Sequence, residues 1–408
     1  MSRGPVWTAA GIVLAAALAA VWGGLASQGP VLWQIAPEPG ATLMLRRPPI
    51  EAQLTMAYSG YAQLFVDGRQ VASGLPAPYI SYLPAKPLAT GRHGLRVDVL
   101  MPGRTFSYTW HVNVAKGAQA SVGPYDRDTY IALAAVNRIR TAAGIAPWRL
   151  SLPLEGASEA HSRFFLENLR RYGTLTDSVH SEQPGWPLYV GRTPWARDVA
   201  FGYNGDGDSE VMAFGVGTGE AVELWLDSVY HRFGLLDPGL TSMGFGIAGR
   251  ASSSDDLPVT TLNAGFESRA EVPNGRAVVW PVPGQTDVPL SFEAGEIPDP
   301  LANFPGASYP AGYPVTVSFF GLGVRGLDVR AASLTQGGRR VPCHLLTPQV
   351  EKSPAELGMS AALLPTRPLQ ARTSYQARVS GRYRDAAGWH PFEITTMFTT
   401  GEAGDKTE

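Results

Sequence analysis

The period of the hydrophobic pattern changes twice along this chain of 408 residues, and that change constrains the fold most. Across residues 30–116, apolar and polar side chains alternate, which is typical of half-buried strands. Helical spacing begins near Pro124, and from about Val272 onward the alternation returns. A chain of this length is too long for one ordinary core. The sequence therefore predicts a multidomain protein with an α+β domain between two all-β domains.

The outer regions, residues 30–117 and 272–401, carry the pattern of strands separated by turns. In the first, residues 106–110 alternate between apolar and polar, and Asp67-Gly68 lies where a hairpin turn is expected. In the second, strand candidates are separated by Gly and Pro. Both regions are similar to bacterial immunoglobulin-like modules, and we expect two all-β sandwiches there.

The middle region, residues 120–268, has the spacing of helices followed by strands. One helix is predicted over residues 125–143, a second opens with Ser151 as its N-cap, and a third begins at Thr218. Closing strands are predicted at 241–248 and 258–266. Helices followed by strands around one core predict an α+β domain.

An uncharged segment, residues 6–26, lies near the start of the chain. Its 21 residues would rise about 31 Å as a helix, enough to cross a bilayer core. A small-residue motif at 17–19 is also typical of a cleavage site. We therefore expect residues 1–28 to be a transmembrane anchor in the cell membrane or a signal peptide removed on secretion. Both place the remaining chain outside the cytoplasm.

Charge and cysteine content exclude several classes of protein. The net charge of −2 predicts no general attraction to nucleic acid or to anionic lipid. The single cysteine, Cys343, excludes a disulfide framework within the chain and a thiolate metal cluster. It lies in a strand-like run, and we expect an inert, small apolar residue. The charged tail, residues 402–408, is predicted to be disordered.

Two imidazoles and two carboxylates in the middle region are the candidates for chemistry. They are His180, Glu210, Glu220 and His231. Neutral imidazole is a good ligand for zinc or copper, and carboxylates orient metal-bound imidazoles. A His–Glu pair can equally move protons near neutral pH without a metal. We read His161, on an apolar helix face, as a core or near-site histidine.

The order and spacing of these elements resemble the CAP superfamily of cysteine-rich secretory, antigen-5 and pathogenesis-related proteins, in its bacterial, cysteine-poor form. Residues 137–144 look like the family's opening helix, and residues 243–247 look like its glycine-spaced strand. The resemblance covers about residues 120–268. It implies an α-β-α sandwich at the centre of the chain.

The resemblance also implies a site. His180 and His231 look like the family's two site histidines, and Glu210 and Glu220 look like its two glutamates. All four would line one ligand-binding cleft, with His180 and His231 as ligands of any divalent metal such as zinc. As an alternative, Glu220 is an acid in the first turn of a helix, where the helix dipole favours it.

Helix geometry sets a condition on this site. Eleven residues along one continuous helix separate Glu220 from His231 by about 16 Å. The two can share a cleft only if the helix breaks before His231. Bacterial relatives have Ser-Pro-Gly at this point, whereas this chain has Ser228-Val229-Tyr230.

Three functions remain open on the sequence. The first is an envelope-anchored or secreted protein that binds a divalent metal, a lipid or a glycan-derived molecule of the cell envelope. The second is a metal-assisted hydrolase with Glu210 or Glu220 as general base. The third is a structural or adhesive surface protein with a degenerate site. We find no Gly-x-Ser-x-Gly, no His-Glu-x-x-His and no phosphate-binding glycine loop in the sequence, which favours a binding protein over an enzyme.

Overall fold

A computed structural model describes residues 32–54, 61–74, 79–101, 104–120, 125–173, 178–205, 208–249, 257–266, 272–273, 275–321, 323–352 and 354–402. The expected anchor or signal peptide, residues 1–28, lies outside these ranges. Residues 403–408 of the expected disordered tail also lie outside them. None of the helices within them is long and apolar enough to cross a membrane. The chain divides into two compact units, residues 1–122 with 196–204, and residues 123–195 with 205–408.

In the first unit, two sheets pack around one apolar core. The strands are β1 (Leu32–Ala36), β2 (Thr42–Leu45), β3 (Ile50–Leu54), β4 (Tyr61–Val66), β5 (Arg69–Gly74), β6 (Tyr79–Tyr82), β7 (Gly91–Met101) and β8 (Arg104–Gln119). The sheet orders are β1-β3-β6 and β2-β8-β7-β4-β5. Ile50 of one sheet and Leu64 and Trp110 of the other are buried in the shared core. The predicted hairpin turn is present between β4 and β5, where Asp67 and Gly68 both have positive φ.

The second unit begins with an α+β region. In chain order the helices are α1 (Arg127–Ala142), α2 (Leu152–Tyr172), α3 (Pro194–Ala200), α4 (Thr218–Asp227) and α5 (Tyr230–Leu236). Residues 196–200 of α3 belong to the first unit, and the other four helices belong to the second. The strands of this region are β9 (Arg149–Leu150), β10 (Asp208–Phe214), β11 (Ser242–Ala248) and β12 (Val259–Gly265). They form one sheet in the order β10-β12-β11-β9.

Helices pack on both faces of this sheet. Phe164 of α2 clusters with Met212 of β10, whereas Val222 of α4 clusters with the neighbouring residue Val211. Successive side chains of a strand point to opposite faces, so the two clusters lie on opposite sides of the sheet. Helix α2 can pack closely on strand β11 because that strand has glycine at positions 244 and 246. A Cβ atom at Gly244 or Gly246 would collide with the backbone of α2.

The rest of the second unit is β. Its strands are β13 (Ala277–Trp280), β14 (Gln285–Val288), β15 (Ser291–Phe292), β16 (Ala311–Gly312), β17 (Val315–Phe319), β18 (Gly326–Gln336), β19 (Arg339–Val341), β20 (Cys343–Leu346), β21 (Ser360–Pro365), β22 (Ser374–Asp385) and β23 (Gly388–Thr400). The sheet orders are β13-β17-β21-β20, β14-β23-β22-β18-β19 and β15-β16. A 3₁₀ turn (Pro300–Asn303) and the short α6 (Pro354–Leu357) complete this region. Its kinship with immunoglobulin-like modules, like that of the first unit, stays a prediction.

Cys343 opens strand β20 and is half-buried. Burial raises the pKa of its thiol to about 12. The group is therefore a protonated thiol at neutral pH and a poor nucleophile.

The α+β region and the C-terminal β region share an apolar core. One continuous cluster of buried side chains includes Trp225 and Phe245 from the former and Trp280 and Val317 from the latter. The guanidinium of Arg232 in α5 is completely buried. It donates to the carbonyl oxygens of Leu226 at 2.6 Å and Pro314 at 2.8 Å, and lies over the ring of Tyr313. The described parts of these two regions therefore pack on one core.

Glu155 of α2 is a buried acid in the α+β region, with 6% of its surface exposed. Its carboxyl group accepts hydrogen bonds from Thr129 Oγ1 at 2.6 Å and from the backbone N–H of Phe245 at 3.1 Å. Burial raises the pKa of this carboxyl from 4.5 to about 7, although the two hydrogen bonds act in the opposite direction. Glu155 is consequently largely protonated in the folded protein below neutral pH.

The raised pKa of Glu155 predicts a stability that falls with pH. Between pH 4.5 and 7 the folded protein keeps a proton that the unfolded chain releases, so the free energy of unfolding decreases across this window. The decrease is at most about 3 kcal/mol. Urea unfolding of Glu155→Gln between pH 5 and pH 8 should show a flatter profile and a more stable protein at pH 7. Glu223→Gln, at an exposed position of α4, should keep the wild-type slope. An unchanged slope in Glu155→Gln would refute the assignment.

Candidate functional site

His180 and Glu210 form a hydrogen-bonded pair at the edge strand β10. His180 lies in the loop after α2, and Glu210 lies in β10. His180 Nδ1 and Glu210 Oε1 are 3.0 Å apart. The imidazole is 33% exposed, whereas the carboxylate is 1% exposed. The structure therefore brings together the first predicted histidine and the first predicted glutamate.

His161 lies behind this pair, completely buried on α2. Its Nδ1 is 2.9 Å from Glu182 Oε1, and its Nε2 is 3.0 Å from the carbonyl oxygen of Val179 and 3.5 Å from Glu210 Oε1. A carbonyl oxygen only accepts, so we assign a proton to Nε2. The other oxygen of Glu182, Oε2, accepts the N–H groups of Val190 at 2.7 Å and Gly191 at 3.2 Å. His161 thus lies between two buried carboxyl groups.

The helix breaks before His231, which was the condition for Glu220 and His231 to share a cleft, but Glu220 does not line the cavity described below. Helix α4 ends at Asp227, Ser228 is extended with φ −82° and ψ 172°, and α5 starts at Tyr230. Ser228 Oγ donates to the carbonyl oxygen of Trp225 at 2.9 Å, which helps to satisfy the end of α4. The break therefore forms without a Ser-Pro-Gly sequence.

A carboxylate from the C-terminal β region occupies the break. The side chain of Glu296 is 1% exposed, and its two oxygens accept the backbone N–H groups of Val229 at 2.8 Å, Tyr230 at 2.6 Å and His231 at 3.1 Å. An anion is favourable at such a helix start. Glu296 Oε1 is also 3.0 Å from His231 Nδ1, so that one side chain both caps α5 and orients the second imidazole.

Nothing in the sequence pointed to Glu296. It lies 65 positions after His231, in a region that the alternating pattern assigns to a separate β domain. An isolated acid in a Gly/Pro-rich turn carries no local signal of a buried partner. The structure also gives the neighbouring Tyr230 a partner in this region, because its hydroxyl donates to Glu351 Oε2 at 2.5 Å.

The structure places Glu220 away from these pairs. It is exposed in the first turn of α4 and does not line the cavity described below. The alternative, an acid stabilised by the helix dipole, describes this position. The carboxylate beside His231 is instead that of Glu296, since the break in the helix exposes the start of α5 to the C-terminal region.

Both His–Glu pairs border one cavity of about 250 Å³. His180, Glu210 and His231 line it directly. Its apolar lining consists of Val211, Phe233, Leu240, Phe266, Ile297 and Phe320. Its acidic lining consists of Asp208, Glu210, Asp237 and Glu356, and none of its described lining residues is Lys or Arg.

The cavity does not contain a ready-made metal-ligand cluster. Nowhere in the described ranges do three or more His, Cys, Asp or Glu side chains lie close enough to hold one ion. In both site histidines Nδ1 faces a carboxylate, so a ligand in the cavity would bind through Nε2.

The comparisons with known proteins identify the family of the central domain. Residues 133–262 match the family model CAP, the Cysteine-rich secretory protein family, and the chain therefore contains a CAP domain. The resemblance found in the sequence is thus confirmed. A CAP domain indicates an extracellular or surface protein. No curated protein matches the chain.

Two solved structures are similar to parts of the chain. An outer surface protein from Borrelia burgdorferi is 18% identical, covers 36% of this chain and 97% of its own, and has a TM-score of 0.28. The fibronectin(III)-like modules of CbhA from Clostridium thermocellum are 17% identical, cover 21% of this chain and 100% of their own, and have a TM-score of 0.16. These scores are too low to support a conclusion about this chain.

Proposed function

We propose that this is an extracellular binding protein whose CAP domain holds a small lipid- or glycan-derived molecule in the His/Glu cavity. One observation supports the proposal above all others. Two imidazoles, each oriented by a buried carboxylate, border the same cavity. A cavity that combines apolar side chains with a few oriented polar groups is the usual form of a small-molecule site. An anchor or signal peptide at residues 1–28 would place it outside the cytoplasm.

Ligand binding should perturb His180 and His231 together. The chain has seven histidines, so selective ¹³C labelling of the imidazoles gives few NMR signals to follow. We expect N-acetylglucosamine or naphthol, titrated into the full chain, to shift both signals with one saturation curve. His390, hydrogen-bonded to Asp385 Oδ1 at 2.8 Å and absent from the cavity lining, is the matched internal control. The proposal fails if no probe shifts both site histidines.

A divalent metal is the second candidate ligand. Carboxylates on Nδ1 of both imidazoles are the arrangement that orients metal-binding histidines, and zinc is the natural ion to test. Calorimetric titration of the full chain with Zn²⁺ should show saturable binding that is lost in His180→Ala/His231→Ala. The metal-assisted hydrolase would depend on this result, whereas heat that is unchanged in the double variant would eliminate it.

A further inference from the structure

The C-terminal β region contributes one side of the cavity. Ile297, Phe320 and Glu356 all line it, and all three lie beyond the residues that match the CAP family model. Relatives that share only the CAP domain would lack this side. The chemistry of these residues therefore bears on which ligand this particular chain accepts.

Ile297 is the most exposed large apolar side chain of the described residues, with 75% of its surface exposed. Its position is nevertheless defined, because the preceding residue, Glu296, is held by three backbone N–H groups and by His231 Nδ1. An apolar ligand that covers Ile297 removes apolar surface from water, which is favourable. Because the backbone at Ile297 is already held in place, little conformational entropy is lost when the ligand binds. Phe320 adds an aromatic surface to the same cavity.

The charge of the lining restricts the ligand further. The cavity carries four acidic side chains and, among its described lining residues, no Lys or Arg. An anionic ligand would therefore meet acidic side chains, and no lysine or arginine, on the described lining of the cavity. The cavity volume of about 250 Å³ is slightly below the usual range for ligand pockets, which begins at about 300 Å³, so the site fits only a small ligand.

We propose that Ile297 and Phe320 determine the specificity of the site, and that they select a small, uncharged molecule with an apolar body and one hydrogen-bonding group. The apolar body contacts Ile297 and Phe320, and the hydrogen-bonding group contacts His180 or His231. This inference rests on the proposed function, because it specifies the ligand of the same cavity.

Naphthol and naphthoate, with their substituents at the same ring position, test the inference. They share one apolar body and differ in charge. Followed through the imidazole signals of His180 and His231 in the full chain, naphthol should bind at least tenfold more tightly than naphthoate. Ile297→Ser should weaken naphthol binding at least fivefold, and Ile297→Leu should restore it to within twofold.

Val350→Ser is the matched control, since Val350 is an exposed aliphatic residue of the same region that does not line the cavity. It should bind naphthol as the wild type does. Equal or tighter binding of naphthoate, or equal losses in Ile297→Ser and Val350→Ser, would overturn the inference. If N-acetylglucosamine shifts both histidines while naphthol does not, the inference fails and the proposed function stands. If no probe shifts them, both fail.

Discussion

His161→Leu is expected to lower the free energy of unfolding by about 3–5 kcal/mol, the usual cost of removing one partner from a buried ion pair. The imidazole lies between the carboxylates of Glu182 and Glu210, whose side chains are 0% and 1% exposed. Leucine fills similar space but removes the imidazole contacts of both carboxyl groups, at 2.9 Å to Glu182 Oε1 and 3.5 Å to Glu210 Oε1. Both carboxyl groups would then face an apolar side chain in place of the imidazole.

Chemical denaturation of three variants separates charge from packing. The double variant His161→Leu/Glu182→Gln should recover part of the loss, because glutamine still accepts the N–H groups of Val190 and Gly191 without a charge. His180 also contacts Glu210, but its side chain is 33% exposed. His180→Leu should therefore lower the free energy of unfolding by about 1 kcal/mol or less. Equal losses for His161→Leu and His180→Leu would show that His161 is not the buried counter-charge.

Arg232→Met is expected to destabilise the second unit by a similar amount, about 3–5 kcal/mol. The substitution keeps much of the apolar stem but removes the donors to Leu226, Pro314 and Thr316 Oγ1, and each buried acceptor left without a donor carries a desolvation penalty. Since these acceptors belong to both the CAP domain and the C-terminal β region, both should lose stability together.

Differential scanning calorimetry measures this effect directly. The wild-type second unit should unfold in one transition, because a single apolar cluster spans its two regions. Arg232→Met should lower that transition without splitting it. Arg330→Met, with 62% of the wild-type side chain exposed, is the matched control and should leave it nearly unchanged. Two separate transitions in Arg232→Met, with only one shifted, would contradict a shared core.

Elements with strong local periodicity could be predicted from the sequence. Helix α1 was predicted over 125–143 and spans Arg127–Ala142, and the closing strands were predicted at 241–248 and 258–266 and span Ser242–Ala248 and Val259–Gly265. In each of these elements the spacing of the apolar residues matches the period of the structure that forms. The reason for the glycines in β11 needed the structure, because only the packed α2 shows what a Cβ would meet.

The site was predictable only in part, for a physical reason. His180 and Glu210 stand in a recognisable order along the chain, and the structure pairs them. Glu220 fits the spacing equally well, but the conformation of Ser228 directs the chain so that Glu296 reaches His231 instead. A contact between residues 65 positions apart leaves no periodic trace in either segment. The burial of Arg232 could not be predicted either. Its partner Pro314 is distant in the sequence, and nothing in the neighbouring residues distinguishes a buried arginine from an exposed one.

The capping of α5 by Glu296 also has a consequence for how such a chain can be rearranged by recombination. The family match ends at residue 262, so the sequence alone suggests that one β module could be exchanged for another beyond that point. An exchange there would remove the carboxylate that starts α5, the partner of His231 and one side of the cavity in a single event. The CAP domain and its C-terminal β region can therefore be inherited and transferred only as one piece if the site is to be retained.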